Sequence, residues 1–531
     1  MKSDSWHPST MALAAMACIG LLSGVGLLPA AAPVVDEIGP TATVAGGQIR
    51  GRLLSDGAGA VFKGIPFAQP PVGELRWREP QPVLPWPGIR DAGESGPPCA
   101  QNSSGWNEKE SIASREDCLY LDVWAPEWPV KASRPVMVWI HGGANTGGAG
   151  GSDPLYEGTH LIAHGVVLVI VEYRLGSFGF LAHPELTAES PHHSSGNYGI
   201  LDQVASLKWV RDNIATFGGD PGNVTVFGQS AGGADTTVLM SSPLTTGLFH
   251  RAIIESGPTP GALPLSKAEE QGLRLAESAK APAHGAVRFL RTLSTAQVLK
   301  LQGGGMPAPP VDGWLLERSP AEAFAAGQQQ PIPLIAGTNG IELPGPSSLD
   351  ELRKAIESRY GDLAPKALAL YGLAPSDGMA PSDELYGSPG DQWATDTMMR
   401  CPTVLQAKWH AAAGHAVWTY EFDRAIPPKP TVVHSSELPY VFGNLFSWGS
   451  QAGEYTDMDR ALSSAMQAYW TSFAKTGDPN TEGFPAWPRF ENGRRDYLRL
   501  GRTGDLSVQQ NERAPYCDLY GESVKGMPAR R

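Results

Sequence analysis

Short, almost wholly apolar runs alternate with stretches whose apolar positions return every three or four residues, and this alternation organises the middle of the chain. Residues 136–140 and 166–173 are such runs, with the pattern of strands buried on both faces. A helical pattern follows over 201–217. The β-branched and aromatic run 224–227 predicts another strand, and 233–240 reads as helix. Further strands are predicted at 60–64 and 119–124 upstream and at 251–255, 332–336 and 417–422 downstream. Apolar strands alternating with helices predict an α/β protein with a large, mostly parallel central sheet flanked by helices. Sites in such sheets lie at the carboxyl ends of the strands.

From about 260 to 330, and again from about 345 to 415, the pattern turns helical and polar, with breaks such as Met306-Pro307-Ala308-Pro309-Pro310. These segments read as insertions that cap the sheet and wall a pocket. No repeat and no clear linker divides the rest, so 36–522 is expected to be one domain despite a length of 531 residues. The 62 glycines and 47 prolines are spread along the chain, which points to many ordered loops rather than a disordered tail. A formal net charge of −13 without any basic cluster excludes nucleic acid as the expected partner.

At the start, Lys2 is followed by an apolar stretch over 11–28 and by Pro29-Ala30-Ala31-Ala32. Residues 1–32 therefore read as a secretory signal peptide, which predicts a secreted or periplasmic protein, although Pro33 disfavours a cut directly after Ala32. A membrane anchor is the alternative, but glycines and Ser23 make the stretch a poor one, and Ala15-Met16-Ala17 before Cys18 is a poor lipidation signal. No later segment is apolar enough to span a membrane. Without the leader four cysteines remain, Cys99, Cys118, Cys401 and Cys517, and an even count in an exported chain favours two disulfides, with three pairings open. There is no Cys/His spacing for zinc and no HExxH, so neither metal nor cofactor is expected.

The chemistry starts at Gly228-Gln229-Ser230-Ala231-Gly232, a G-x-S-x-G placed between the predicted strand 224–227 and the helix after it. In that context a serine sits on a tight strand-to-helix turn with its hydroxyl above the sheet. The pentapeptide alone is weak in so glycine-rich a chain. A second segment strengthens it: strand 136–140 runs into His141-Gly142-Gly143-Ala144, where small residues leave backbone N–H groups free to hold an oxyanion together with the N–H of Ala231. A serine needs an imidazole to take its proton, and the imidazole needs a carboxylate, in the chain order serine, acid, histidine. His410 and His415 lie in a helix-like segment and read as packing or surface residues, whereas His434 follows strand 417–422 and a proline-rich connection and is the better base. Glu342, just past strand 332–336, is the candidate acid; on spacing alone a solvated loop carboxylate is an equal reading.

From about residue 40 to 520 the chain resembles the type-B carboxylesterases, which include cholinesterases, bacterial para-nitrobenzyl esterases and certain fungal lipases. Residues 217–233, around Ser230, are similar to the family's serine signature over its whole length. Glu116-Asp117-Cys118-Leu119-Tyr120-Leu121 resembles the second signature, Gly64-Ile65-Pro66-Phe67-Ala68 the early strand motif, and residues 434–443 the histidine segment. The resemblance implies an α/β-hydrolase fold and hydrolysis of small-molecule carboxylic esters. It implies Ser230 as nucleophile, Glu342 as acid, His434 as base, and Gly143, Ala144 and Ala231 as oxyanion donors. It further implies the disulfides Cys99–Cys118 and Cys401–Cys517 and structural ion pairs Arg76–Glu116 and Arg174–Asp202.

Three positions depart from the family pattern. Ala144 stands where Gly is frequent, and a backbone donor survives either choice. Asn145 replaces the usual aromatic residue, which is expected to change one wall of the pocket. Leu343 follows the acid where Gly is usual, and Gly340-Ile341 precede it. Within the family a lipase, a choline-ester hydrolase or a non-catalytic adhesion protein are the alternatives, and the presence of all three triad residue types argues against the last. Trp106 falls in the first implied disulfide loop and invites comparison with the cholinesterase aromatic that stacks on quaternary ammonium. The loop is shorter here, so core or rim packing is the expected role.

Overall fold

In the computed structural model, described for residues 39–525 apart from 56, 260, 374–381, 427–430 and 447–452, the leader segment expected at 1–32 lies outside the described residues. Eleven strands build the central sheet. We number them β1 Arg52–Leu53, β2 Ala60–Pro66, β3 Tyr120–Ala125, β4 Arg134–Ile140, β5 Val167–Val171, β6 Gly219–Gln229, β7 Arg251–Glu255, β8 Leu334–Asn339, β9 Val417–Phe422, β10 Asp496–Leu500 and β11 Leu506–Gln510. Their order across the sheet is β11-β10-β9-β8-β7-β6-β4-β5-β3-β2-β1. From β5 through β4 and β6 to β10 every neighbouring pair is parallel, while β1, β2 and β3 at one edge and β11 at the other pair antiparallel. The sheet is therefore parallel at its centre and mixed at its edges.

The apolar runs have their cause in this arrangement. In β4, Val136, Val138 and Ile140 face one core while Met137 and Trp139 face the other, and β5 divides its residues in the same way. The first core is closed by helix Tyr198–Asn213, through Leu201, Val204, Leu207 and Val210. The second is closed by helix Asp457–Thr476, whose Leu462, Met466, Tyr469, Trp470 and Phe473 return at helical spacing to one face. Thr456 and Asp459 form a capping box at the start of that helix, and Gly477 ends it with φ 82°.

Two strand boundaries differ from the sequence pattern for identifiable reasons. β8 begins at Leu334, not Ile332, because Pro333 has no N–H to give a ladder, and it continues through Gly337, Thr338 and Asn339 in register with β9. β6 begins at Gly219, where Gly, Pro and Asn had hidden the extended backbone. Between β7 and β8 run helices Leu265–Ser278, Ala286–Arg291, Thr295–Leu301 and Pro320–Ala325. Between β8 and β9 run Leu349–Tyr360, Ala364–Leu370, Pro389–Thr395 and Cys401–Ala412. Cys99 is bonded to Cys118 and Cys401 to Cys517. The pairs Arg76–Glu116 and Arg174–Asp202 are buried, each at 2.6 Å. His410 is a packing residue, buried between Gln329 and the carbonyl of Ile332 at 2.8 Å from each.

Candidate active site

The chain passes from β4 outward to β5 and then back across β4 to β6, so the direction of winding reverses here, and in such sheets sites lie at the carboxyl ends of the strands around the reversal. Both segments singled out for chemistry lie there. At the end of β6, Ser230 adopts φ 56° and ψ −120° before helix Ala231–Ser241 begins. This is a costly conformation for a residue with a Cβ. It is held because the Ser230 N–H donates to the carbonyl of Glu255 on β7 (2.9 Å) and the Ser230 carbonyl accepts from Ala234 (2.9 Å). Gly232 is required by close approach: a Cβ there would stand 2.0 Å from the carbonyl oxygen of Ile140.

At the end of β4, Gly143 (φ 106°), Ala144 (φ 57°) and Asn145 (φ 55°) are three successive residues with positive φ. The turn is closed by the N–H groups of Thr146 and Gly147 on the Gly143 carbonyl, both at 3.0 Å. The N–H groups of Gly143 and Ala144 meet no acceptor among the described residues. The loop packs directly on the elbow, since a Cβ on Gly142 would stand 3.1 Å from that of Ser230. The Asn145 side chain is buried, donating from Nδ2 to Asp235 Oδ1 (2.8 Å), and it is not among the residues that line the neighbouring cavity. Thr146 lines the neighbouring cavity instead.

Glu342 sits three residues past β8, buried and firmly held. Its Oε2 accepts from His434 Nδ1 at 2.6 Å. Its Oε1 accepts from Ser256 Oγ (2.6 Å) and from the N–H of Asn339 (2.7 Å). The two backbones are also tied, His434 N–H to the carbonyl of Glu342 at 2.9 Å, and Glu342 N–H to Thr395 Oγ1 at 3.1 Å. Leu343 is not at positive φ, so no glycine is needed after the acid. With Nδ1 donating to a carboxylate, the lone pair of the His434 ring is on Nε2, 3.3 Å from the side-chain amide nitrogen of Gln229. Burial opposes a charge on this ring, but the hydrogen bond and negative charge of Glu342, joined by the charge of Glu437, raise its pKa above 6.5.

Comparison with known proteins decides which chemistry this is. The model of the carboxylesterase family matches residues 39–520. The chain belongs to the carboxylesterase family. It is 37% identical over 458 residues to the fumonisin B1 esterase of Sphingopyxis macrogoltabida, covering 81% of each chain. It is 38% identical over 476 residues to the para-nitrobenzyl esterase of Bacillus subtilis (strain 168), covering 83% of this chain and 90% of that one. A solved thermophilic PNB esterase superposes with a TM-score of 0.79 at 34% identity, covering 90% of this chain and 99% of the other. The fold is the α/β-hydrolase fold, and this carboxylesterase is a carboxylic-ester hydrolase acting on small-molecule esters.

The esterase surrounds its candidate acid with residues the sequence pattern did not single out. Glu437, three positions after His434, accepts from Asn339 Nδ2 (2.7 Å), and burial together with the charge of Glu342 pushes its carboxyl up to about 7. Burial likewise raises Glu255 well above the ordinary range, and its Oε1 accepts from Trp470 Nε1 (2.6 Å). Arg400, fully buried, donates from Nη2 to the carbonyl of Gly340 (2.7 Å), from Nη1 to Asp396 (2.7 Å) and from Nε to Glu512 (2.7 Å). It clamps the acid's loop to the C-terminal part of the chain. Ser256, directly after β7, could have been found from the rule that sites collect at strand ends. Asn339, Thr395 and Arg400 carry no local signal. Trp106 is 59% exposed, and a Cβ on Gly143 would stand 3.2 Å from its ring, which puts it on the rim beside the glycine turn. Among the described residues no helix is long and apolar enough to cross a membrane.

Proposed function

We propose that the protein is an exported serine carboxylesterase working through an acyl-enzyme on Ser230, with His434 as general base and acid and Glu342 as its orienting carboxylate. The observation that carries this reading is the 2.6 Å bond from His434 Nδ1 to Glu342 Oε2, which joins residues 92 apart beside the serine turn. His434 Nε2 takes the Ser230 proton as Oγ attacks the ester carbonyl. Negative charge develops on the carbonyl oxygen, toward the N–H groups of Gly143, Ala144 and Ala231. The tetrahedral intermediate collapses as the imidazolium returns its proton to the departing alcohol. Water, deprotonated by the same ring, then attacks the acyl-enzyme and releases the acid and the serine.

A cavity of about 520 Å³ beside Thr146, with Phe180, Leu181, Leu275, Leu301 and Met306 among its walls, offers apolar surface to an acyl or alcohol chain. The two disulfides support export, in line with the leader read at 1–32. Ser230→Ala is expected to abolish both turnover of a short-chain nitrophenyl ester and labelling by a fluorophosphonate. Wild-type turnover in that variant would remove the assignment. Rates over an acyl-chain-length series, with a choline ester included, separate esterase, lipase and choline-ester hydrolase.

A further inference from the structure

Two consecutive non-glycine residues of the turn after β4, Ala144 and Asn145, are held at positive φ. Such a backbone persists only where surrounding contacts fix it. The contacts here run through the Asn145 side chain, which is buried with Tyr173, Gln203 and Asp235. Asn145 Nδ2 donates to Asp235 Oδ1 (2.8 Å), and Gln203 Nε2 donates to Asp235 Oδ2 (2.6 Å). The Tyr173 hydroxyl donates to the carbonyl of His141 (2.7 Å) and lies 3.0 Å from Asn145 Oδ1. The Asn145 carbonyl accepts from the N–H of Gly176 (2.6 Å). Asp235 belongs to the helix that starts at Ala231, and Gln203 to helix Tyr198–Asn213. One buried relay therefore ties the turn that carries the Gly143 and Ala144 N–H groups to the helix that carries the Ala231 N–H.

We propose that Asn145 is a positioning residue for the oxyanion donors, acting through Asp235 to set the Gly143 and Ala144 N–H groups at a fixed distance from Ser230. The proposal rests on Ser230 being the nucleophile. Donors of this kind act only if they point at the place where charge develops, and a misplacement of about 1 Å costs on the order of 100-fold. A loop that lost the relay would still admit substrate, because none of the relay's side chains faces the cavity beside Thr146.

The test compares Asn145→Leu, Asp235→Asn and the exchange of the two (Asn145→Asp with Asp235→Asn) in the full chain. Nitrophenyl-ester kinetics and the affinity of a trifluoromethyl ketone, which forms a tetrahedral adduct, are measured for each. Asn145→Leu is expected to lower kcat by about 10- to 100-fold with KM within about threefold, and to weaken the ketone by the same factor as kcat. The exchange restores one donor facing one acceptor, with Gln203 and Tyr173 still bonded, and is expected to recover kcat to within about fivefold of wild type. Unchanged kcat and ketone affinity in Asn145→Leu would overturn the proposal, as would an exchange variant that folds and stays as slow as the single ones. If Asn145→Leu does not fold, the exchange variant decides alone by the same criterion. Turnover surviving in Ser230→Ala would instead remove the serine assignment; with Ser230→Ala inactive, an unaffected Asn145→Leu removes the positioning role only.

Discussion

Glu342→Gln removes one charge and reverses one hydrogen bond while leaving the side chain's size intact. The carboxylate accepts from His434 Nδ1, Ser256 Oγ and the Asn339 N–H at 2.6, 2.6 and 2.7 Å. An amide can present its oxygen to Ser256 and Asn339, but its NH₂ group then meets Nδ1 and selects the tautomer with the proton on Nε2, the wrong one for a base. The charge matters as well, because His434 becomes an imidazolium in the transition state. At an effective dielectric of ~20 and ~4 Å between charge centres, the attraction is about 4 kcal/mol. At about 1.4 kcal/mol per decade that is roughly a 10³-fold loss of kcat, with the tautomer error taking it toward the ~10⁴ seen when a triad carboxylate is made an amide. The acid limb of kcat/KM reports the ring's pKa in the free enzyme. In the wild type that limb is expected above 6.5, since Glu342 and Glu437 outweigh burial, and activity falls as pH drops through it because the protonated ring cannot accept the serine proton. In Glu342→Gln burial is left with only Glu437 against it, and the limb moves to lower pH. Stopped-flow or plate-reader hydrolysis of a nitrophenyl ester between pH 5 and 9 measures both effects. A variant within tenfold of wild type, or one whose acid limb does not move, would refute the role given to this carboxylate.

Glu437→Gln makes permanent the neutral form that burial favours up to about 7, and keeps an acceptor for Asn339. It is expected to change kcat by less than roughly threefold at pH 6.5, and a loss of 100-fold there would give Glu437 the part assigned to Glu342. Removing Cys401–Cys517, which spans 116 residues, is expected to cost about 5 kcal/mol of chain entropy against about 3 for Cys99–Cys118, which spans 19. Urea unfolding of the two double-alanine variants checks the order, and a lower midpoint for the Cys99–Cys118 variant contradicts it. Gly232→Ala must displace either the serine turn or the end of β4, because its Cβ would lie 2.0 Å from the Ile140 oxygen. Overpacking of about 1–3 kcal/mol or more and a loss of turnover are expected, and a variant with wild-type turnover and unfolding midpoint would show that the backbone yields freely.

What the sequence makes legible is whatever a short window encodes. The serine turn was readable because a β-branched strand, two glycines and a helix fall within some fifteen residues, and β9 was readable to the residue because all of Val417–Phe422 is buried. His434 became the candidate base through chain order, whereas Glu342 stood level with a solvated loop carboxylate on spacing and became the candidate acid only through the family resemblance. Strands β10 and β11 escaped because Asp496, Arg499, Gln509 and Gln510 break any apolar run at the mixed edge of the sheet. The supports of Glu342 escaped for a different reason: Ser256 and Thr395 are 86 and 53 residues from it, and only the fold brings them within reach. The partner of Asn145 escaped in the same way, because Asp235, the buried carboxylate that turns its side chain inward, lies 90 residues further along the chain.

The Arg400 clamp also orders events in time. Ser230 and its helix can take shape on a growing chain once β7 has followed β6, and His434 emerges some two hundred residues later. The carbonyl of Gly340, however, is held by a guanidinium whose third anchor is Glu512, and Cys401 waits for Cys517. Synthesis must therefore be nearly finished before the carboxylate bonded to His434 is fully braced. A chain that stops before Glu512 carries the Ser230 turn and the Glu342–His434 pair without the last of the ties on the loop that precedes Glu342.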